Sequence, residues 1–408
     1  MQTLNKLTKR ILAICLFALI ATVTKAQETT TVVDSSLLNR VSTLEQQASY
    51  IKPRESHLMA VGLLTFGYVS NKTTVTYNGT SSVSKSNSLG DADHFEFSPM
   101  FLWRHGKKFL MEFEPSFSAD GVGVNWAVAS YYATPGLILR GGYLVLPFGT
   151  YNKRLAAGWI NKLASDPEGI ADASDFGVEA EGGIQAGTTK WSYDFALSNG
   201  MQLQPDGTTQ FIGITDNNKN KLFTGRIGFL PLANSSIEVG ASLMTGNVGD
   251  ANLKINSATA TLWALDLNVV ENITPFQLNI KGQYSEAKVG NATYTDPNDP
   301  THDYTFDNHT KTGYIMAALR PAFSQNDVVK NFELAARYGN YTTPANSLWG
   351  TKDNSLAVGL NYWMNWRTVV RFSYEAIKGT STVSQNLGGN PGEITKSNSA
   401  YIQFCIEL

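Results

Sequence analysis

Ala400-Tyr401-Ile402-Gln403-Phe404-Cys405-Ile406-Glu407-Leu408 decides the fold. Every second residue from Ala400 is apolar, and Tyr401, Gln403, Cys405 and Glu407 stand between them. Strand side chains alternate between two faces, so this segment has one greasy face and one mostly polar face. An amphipathic strand of this kind at the end of a chain fits a membrane barrel, in which the last strand pairs with the first. Lipid then lies outside and water inside.

The opposite end of the chain says where it goes. Residues 1–26 read as a secretory signal peptide, with Lys6, Lys9 and Arg10 ahead of an apolar stretch from Ile11 to Val23. Thr24-Lys25-Ala26 precedes the expected cut. The signal holds four of the 32 basic residues and no acidic one, so the remainder carries 28 basic against 34 acidic, a formal charge of −6. That balance excludes a nucleic-acid footprint. Only Cys405 follows the signal, so no disulfide framework is expected. No later segment has the apolar length of a membrane helix.

Residues 27–54 form a linker before the barrel. Within it Leu37, Val41, Leu44, Ala48 and Ile51 make a heptad-like stripe over 35–51. Two readings stand here, a short coiled-coil helix and a flexible linker with accidental spacing.

Residues 55–408 are expected to form an all-β, 16-stranded antiparallel transmembrane β-barrel. Sixteen strand candidates run from 57–69 to 397–408. Phe95, Phe97, Phe101 and Trp103 share one face of the second, and Phe276, Leu278, Ile280 and Tyr284 share one face of the eleventh. Connections after even candidates are tight to moderate, as at His105-Gly106, Thr134-Pro135 and Asn365-Trp366. Those after odd candidates are mostly long and polar, as at 70–93, 149–175 and 379–396. Sorting of loop length by parity is a barrel signature, with short turns on the periplasmic side and long loops outside. Aromatic residues near strand ends, among them Trp103, Phe117, Phe148, Trp191, Tyr314, Trp363 and Trp366, read as interfacial girdles.

The face opposite the apolar set would line the lumen. It carries acidic Glu96, Glu112, Glu114, Glu179, Glu181, Asp194, Glu238, Asp266, Glu333 and Glu375. It carries basic Arg104, Lys108, Arg140, Arg226, Lys281, Arg337 and Arg371. Such charges are costly against lipid and comfortable around water. The long loop after the fifth candidate contains Leu155, Trp159, Ile160 and Leu163, which a solvated loop would not need. It is expected to fold inward and narrow the pore, placing Lys153, Arg154, Lys162, Asp166 and Glu168 at a constriction. Charge at a constriction sets ion preference through the local field, and the basic first half would favour anions. The alternative lays this loop over the mouth.

Two runs carry a resemblance: Gly142-Tyr143-Leu144-Val145-Leu146-Pro147-Phe148-Gly149-Thr150-Tyr151-Asn152 and Trp159-Ile160-Asn161-Lys162. With the strand count and the long third loop, they make the chain resemble the general porins, specifically the phosphate-selective porin O/P-like family of Gram-negative bacteria. The resemblance implies passive diffusion of small hydrophilic solutes or inorganic ions, a phosphate-like anion preference, an outer-membrane location, a homotrimer and no cofactor. The chain departs from that pattern in its net acidic lumen set and in ending on Leu408.

The rival reading is a closed structural or adhesive barrel whose outer loops bind a partner. An enzyme is not expected. The five histidines form no catalytic constellation with a nucleophile, and no nucleophile elbow, paired-cysteine site or phosphate loop is present. Residues 27–56 are too few for a plug domain.

Overall fold

A period-two pattern that puts apolar side chains on one face cannot end at a free edge in lipid, because every backbone N–H and C=O there needs a partner. In the computed structural model the chain meets this demand by closing on itself. The structure describes residues 56–90, 95–150, 160–170, 174–211, 221–249, 258–290, 293–296 and 299–407. The signal peptide and the 35–51 helix expected from the sequence lie outside these residues, as do Lys153 and Arg154.

The strands are β1 (Ser56–Tyr77), β2 (Thr80–Leu89), β3 (Phe95–His105), β4 (Phe109–Ser118), β5 (Gly121–Thr134), β6 (Leu137–Val145), β7 (Ser174–Ala186) and β8 (Thr189–Ser198). They continue with β9 (Met201–Leu203), β10 (Thr209–Phe211), β11 (Leu222–Leu230), β12 (Ile237–Asn247), β13 (Thr259–Ile273), β14 (Phe276–Val289), β15 (Tyr294–Asp296) and β16 (Asp299–Tyr304). The last are β17 (His309–Arg320), β18 (Phe332–Thr342), β19 (Thr351–Asn365), β20 (Thr368–Ser381) and β21 (Ile394–Glu407). All pairings are antiparallel, and β21 closes the ring on β1 from Leu63↔Glu407 to Thr76↔Ile394. Seventeen strands share the sheet, but β2 pairs only with β1, so sixteen strands form the ring. Two small hairpins, β9–β10 and β15–β16, stand apart from the wall.

The polar stretch 70–93, expected as a loop, is instead largely sheet. β1 runs on to Tyr77 and β2 returns beside it, paired from Tyr77↔Thr80 to Tyr68↔Leu89. The cause is local. Asn78 and Gly79 have φ of 48° and 78°, the two positive values that a two-residue type I′ hairpin turn requires. Thr and Val on the flanks supply strand propensity. The hairpin carries the wall outward at the long-loop end of the barrel.

The outward face is apolar. Ala400, Ile402, Phe404 and Ile406 of β21 point out, while Ser399, Gln403 and Cys405 are buried on the inner side. Cross-strand aromatic pairs tie the outer face together, among them Phe97–Phe117 at 6.0 Å, Trp191–Phe229 at 4.5 Å and Phe332–Tyr362 at 5.1 Å between ring centroids.

Not every aromatic of the expected girdle belongs to it. Trp363 alternates with outward Tyr362, so it points in and is buried, donating from Nε1 to Glu333 Oε2 at 2.9 Å. Phe148 also lies inside, because the chain turns inward after β6. Tyr314 shares the inner face of β17 with Thr312 and Met316.

Candidate functional site

The inner wall has three regions, each set by which residues occupy the inward positions of the strands. At the long-loop end, β12–β14 place Met244, Ala260, Leu262, Ala264 and Val289 inward. Leu146 and Phe148, which follow β6, pack there together with Met201 and Leu203 of the β9 segment. The inner wall is therefore apolar on this side of the lumen. β13 carries apolar residues at both parities, with Trp263 and Leu265 out and Leu262 and Ala264 in. The expectation of a polar inner face fails locally for that reason.

The second region is a belt of ion pairs at mid-wall. Arg140 of β6 has its guanidinium 3.1 Å from Glu181 and 3.8 Å from both Glu179 and Glu112. Farther round, Arg226 of β11 meets Asp266 of β13 through two bonds, Nη2–Oδ1 at 2.6 Å and Nε–Oδ2 at 3.0 Å. Its Nη1 donates to Glu238 Oε1 of β12 at 3.0 Å. Glycines at 228 and 240 leave room for this arginine: a Cβ on Gly240 would stand 2.4 Å from its Nη2. Arg226, Asp266 and Glu238 are all buried. Each arginine thus faces more than one carboxylate, and the belt leans acidic.

The third region is the receptor for the inward-folded loop. After β6 the backbone leaves the wall, and the described residues of the loop bind strands on the far side of the ring. Gly149 N donates to Ser242 Oγ at 3.0 Å and Thr150 N to Gln283 Oε1 at 3.0 Å. Lys281 Nζ donates to the Ile160 carbonyl at 3.1 Å, and Asn361 Nδ2 to the Lys162 carbonyl at 2.9 Å. Ala164 N donates to Ser373 Oγ at 3.0 Å, and Thr312 Oγ1 to the Glu168 carbonyl at 2.7 Å. Arg337 of β18 holds the centre. Its Nη1 donates to the Ser165 carbonyl at 2.6 Å, and its Nη2 to Ser165 Oγ, the Asp166 carbonyl and Glu375 Oε1 at 2.9, 2.9 and 2.8 Å.

An apolar anchor accompanies these bonds. Leu163 is 0% exposed and sits on Met316, Ala318, Ala335 and Ala357. Small residues at inward positions make its socket, and a Cβ on Gly359 would stand 2.7 Å from Leu163 Cδ2. Full burial of a leucine contributes about 1.5–3 kcal/mol. The loop is thus tethered at both described ends to β12, β14 and β17–β20.

The residues assigned to the constriction therefore have distinct placements. Lys162 points into the wall, where its Nζ lies 3.2 Å from Glu333 Oε1 and 4.8 Å from the Trp363 ring centroid. Its charge is matched. Asp166 and Glu168 border a 50 Å³ cavity that they share with Asp353 and Glu375. Glu168 reaches lumen water, yet desolvation raises its carboxyl pKa, and the Asp353 and Glu375 carboxylates raise it further against the pull of Arg337.

Among the lumen assignments, Glu112, Arg140, Glu179, Glu181, Arg226, Lys281, Arg337 and Arg371 all occupy inward positions. Glu114 does too, accepting from Asn125 Nδ2 at 3.3 Å. Arg371 is buried, with Nη1 donating to Gln403 Oε1 at 2.8 Å. Arg104 is exposed near the short-turn end of β3. Lys108 lies in the turn between β3 and β4, with its ammonium 5.5 Å from the Tyr131 ring, and not on the lumen wall. Sequence reasoning passed over Ser242, Gln283, Thr312, Asn361 and Ser373 as loop receptors. Their one signal is an uncharged polar side chain at an inward mid-strand position.

The raised Glu168 pKa carries a pH prediction. A carboxyl with a higher pKa in the docked loop than in a free one makes docking strongest below the free value, and docking weakens as pH rises through the raised one. Single-channel conductance is accordingly expected to fall as pH is lowered toward the ordinary glutamate range. Glu168→Gln should flatten that dependence, and an unchanged profile in the variant would assign it elsewhere.

No protein-family model matches the chain. No curated protein matches it significantly. Solved structures do. OmpF of Salmonella typhi, in complex with daunomycin, aligns with a TM-score of 0.53 at 12% identity, covering 87% of this chain and 98% of that one. The outer membrane channel DcaP of Acinetobacter baumannii aligns at 0.51 and 10% identity, covering 86% and 97%. An anion-selective porin from Comamonas acidovorans aligns at 0.50 and 13% identity, covering 86% and 100%. At these identities the likeness is one of fold: the chain has the porin fold.

Proposed function

We propose that this barrel is a Gram-negative outer-membrane channel for passive diffusion of small hydrophilic solutes and ions, assembled as a homotrimer. One observation carries the reading: a closed sixteen-strand ring holds its third long loop inside, fastened to the opposite wall by Arg337 and Leu163. A loop so placed narrows an aqueous lumen without abolishing it. The signal peptide expected at 1–26 and the apolar outer face agree with export to that membrane.

Ion preference is the finer part of the proposal. Lys162 faces Glu333, and Arg140, Arg226 and Arg337 each face at least one carboxylate, so these wall cations supply no net positive field. Any phosphate-like anion preference then rests on Lys153 and Arg154. Neutralising those two should move the reversal potential toward zero in a salt gradient.

The second reading, a closed structural or adhesive barrel, draws on the packed apolar region around Met244 and Leu262 and on the β1–β2 hairpin that extends the wall. Planar-bilayer recording on refolded protein separates the two. Discrete steps, in groups of three, support the channel. Silence from protein shown to be folded favours the closed barrel.

A further inference from the structure

Above the tethered loop, at the long-loop end, the lumen opens into a cavity of 710 Å³. Its floor is Gly169–Ile170 of the inward loop, and its walls are the ends of β6, β13, β14, β17 and β18. We infer that this vestibule is a binding site for an uncharged, polyhydroxylated solute of sugar size, an inference that deepens the channel reading.

Three observations carry it. First, charge is absent from its lining among the described residues, although charged groups crowd the wall beneath it. Second, beside an aliphatic side formed by Ile170, Met201, Leu262 and Val289, the lining pairs aromatic rings with neutral hydrogen-bonding groups: Phe211, Tyr341 and Trp349 with Thr209, Gln210 and Thr310. A pyranose presents C–H faces that stack on aromatic rings and hydroxyls that exchange bonds with hydroxyl and amide side chains. The described lining offers an ion no counter-charge. Third, the walls are built. The turn leading into β10 is fixed by Asp206, which accepts from Thr208 N at 2.9 Å and Thr208 Oγ1 at 2.7 Å. Asn308 Nδ2 donates to the Gly207 carbonyl at 2.7 Å, and Tyr304 OH to the Asp206 carbonyl at 3.0 Å. Behind this turn Tyr294 stacks on Phe306 at 4.5 Å, and Phe306 meets Trp349 edge-on at 6.5 Å. A site whose rings and amides are held before the ligand arrives loses less on binding. The volume lies within the range of about 300–1,000 Å³ usual for small-molecule pockets.

Tyr341 borders both this cavity and the acidic one beneath, so the vestibule precedes the charged part of the path. A neutral solute would be concentrated at the mouth before it meets the narrowed passage.

Calorimetric titration of the folded protein in detergent with maltose tests this, because it needs no open pore. Saturable binding that is insensitive to salt is expected, weakened at least tenfold in Trp349→Ala. The double variant Thr209→Val, Gln210→Ala changes two exposed side chains, leaves the fold intact and should weaken binding similarly. Saturable binding of maltose by a protein that conducts no current would sink the channel reading and keep this site. Absence of saturable maltose binding by a conducting protein would overturn the site alone, as would binding of inorganic phosphate in its place.

Discussion

Arg337→Ala is expected to raise single-channel conductance and to make the open current noisy, while the barrel stays folded. The guanidinium makes four hydrogen bonds, three to the loop and one to Glu375, and is 1% exposed. Its removal leaves the Ser165 and Asp166 carbonyls without that donor and Glu375 without its cation. Breaking a buried ion pair from one side costs about 3–5 kcal/mol. Each buried carbonyl that loses its donor adds about 1–3 kcal/mol. The three bonds to Ser165 and Asp166 fall on the attachment of the loop, and the Glu375 pair falls on the wall, which keeps its backbone ladders on either side of β18. Leu163→Ala should act in the same direction, at about 2–5 kcal/mol for a fully buried leucine. Arg337→Lys keeps the charge but cannot reproduce the fork of parallel donors, and should fall between wild type and alanine. Conductance and noise that match wild type in both Arg337→Ala and Leu163→Ala would mean that the loop is not what narrows the passage.

The second large effect is on stability. Arg226→Met should lower the temperature at which the folded barrel denatures by several degrees. It leaves Glu238 and Asp266 buried side by side without a cation. The loss is again about 3–5 kcal/mol, because an uncompensated charge remains inside. Converting the two carboxylates to amides as well, in Arg226→Met, Glu238→Gln, Asp266→Asn, should recover most of the loss. Replacing a whole buried ionic group by neutral residues is often neutral in cost. Thermal shifts in detergent read both variants. A triple variant as unstable as the single one would show that the region depends on the shape of the arginine rather than on its charge.

How much of this was legible follows from what each signal measures. Strand number and closure were readable because lipid imposes alternation: in β21 the outward set Ala400, Ile402, Phe404 and Ile406 is unbroken. Inward folding of the third loop was readable from Leu163, whose apolar side chain had no use in water. The hairpin of β1 and β2 was missed, although Asn78-Gly79 announces its turn, because polar composition was read as loop and composition says little about backbone pairing. The apolar inner face at β13 was missed for a different reason. Alternation reports contrast between two faces, and Leu262, Trp263, Ala264 and Leu265 leave none. The pairing of Lys162 with Glu333 was out of reach, since the two are joined only when the loop has crossed the ring. The same holds for Arg337 and Ser165.

Closure of β21 on β1 has a consequence for how the molecule comes to exist. The seam joins Leu63 to Glu407, so the ring cannot be completed until nearly the whole chain has been made. Loop closure over such a separation is slow, and it leaves two unpaired edges waiting meanwhile. The third loop, by contrast, is made early, and its socket on β17–β20 is among the last parts to form. Assembly therefore has an order built into it: the loop leaves the wall at the open rim, and it can settle only once β17–β20 have brought Arg337, Ser373 and the Leu163 socket together.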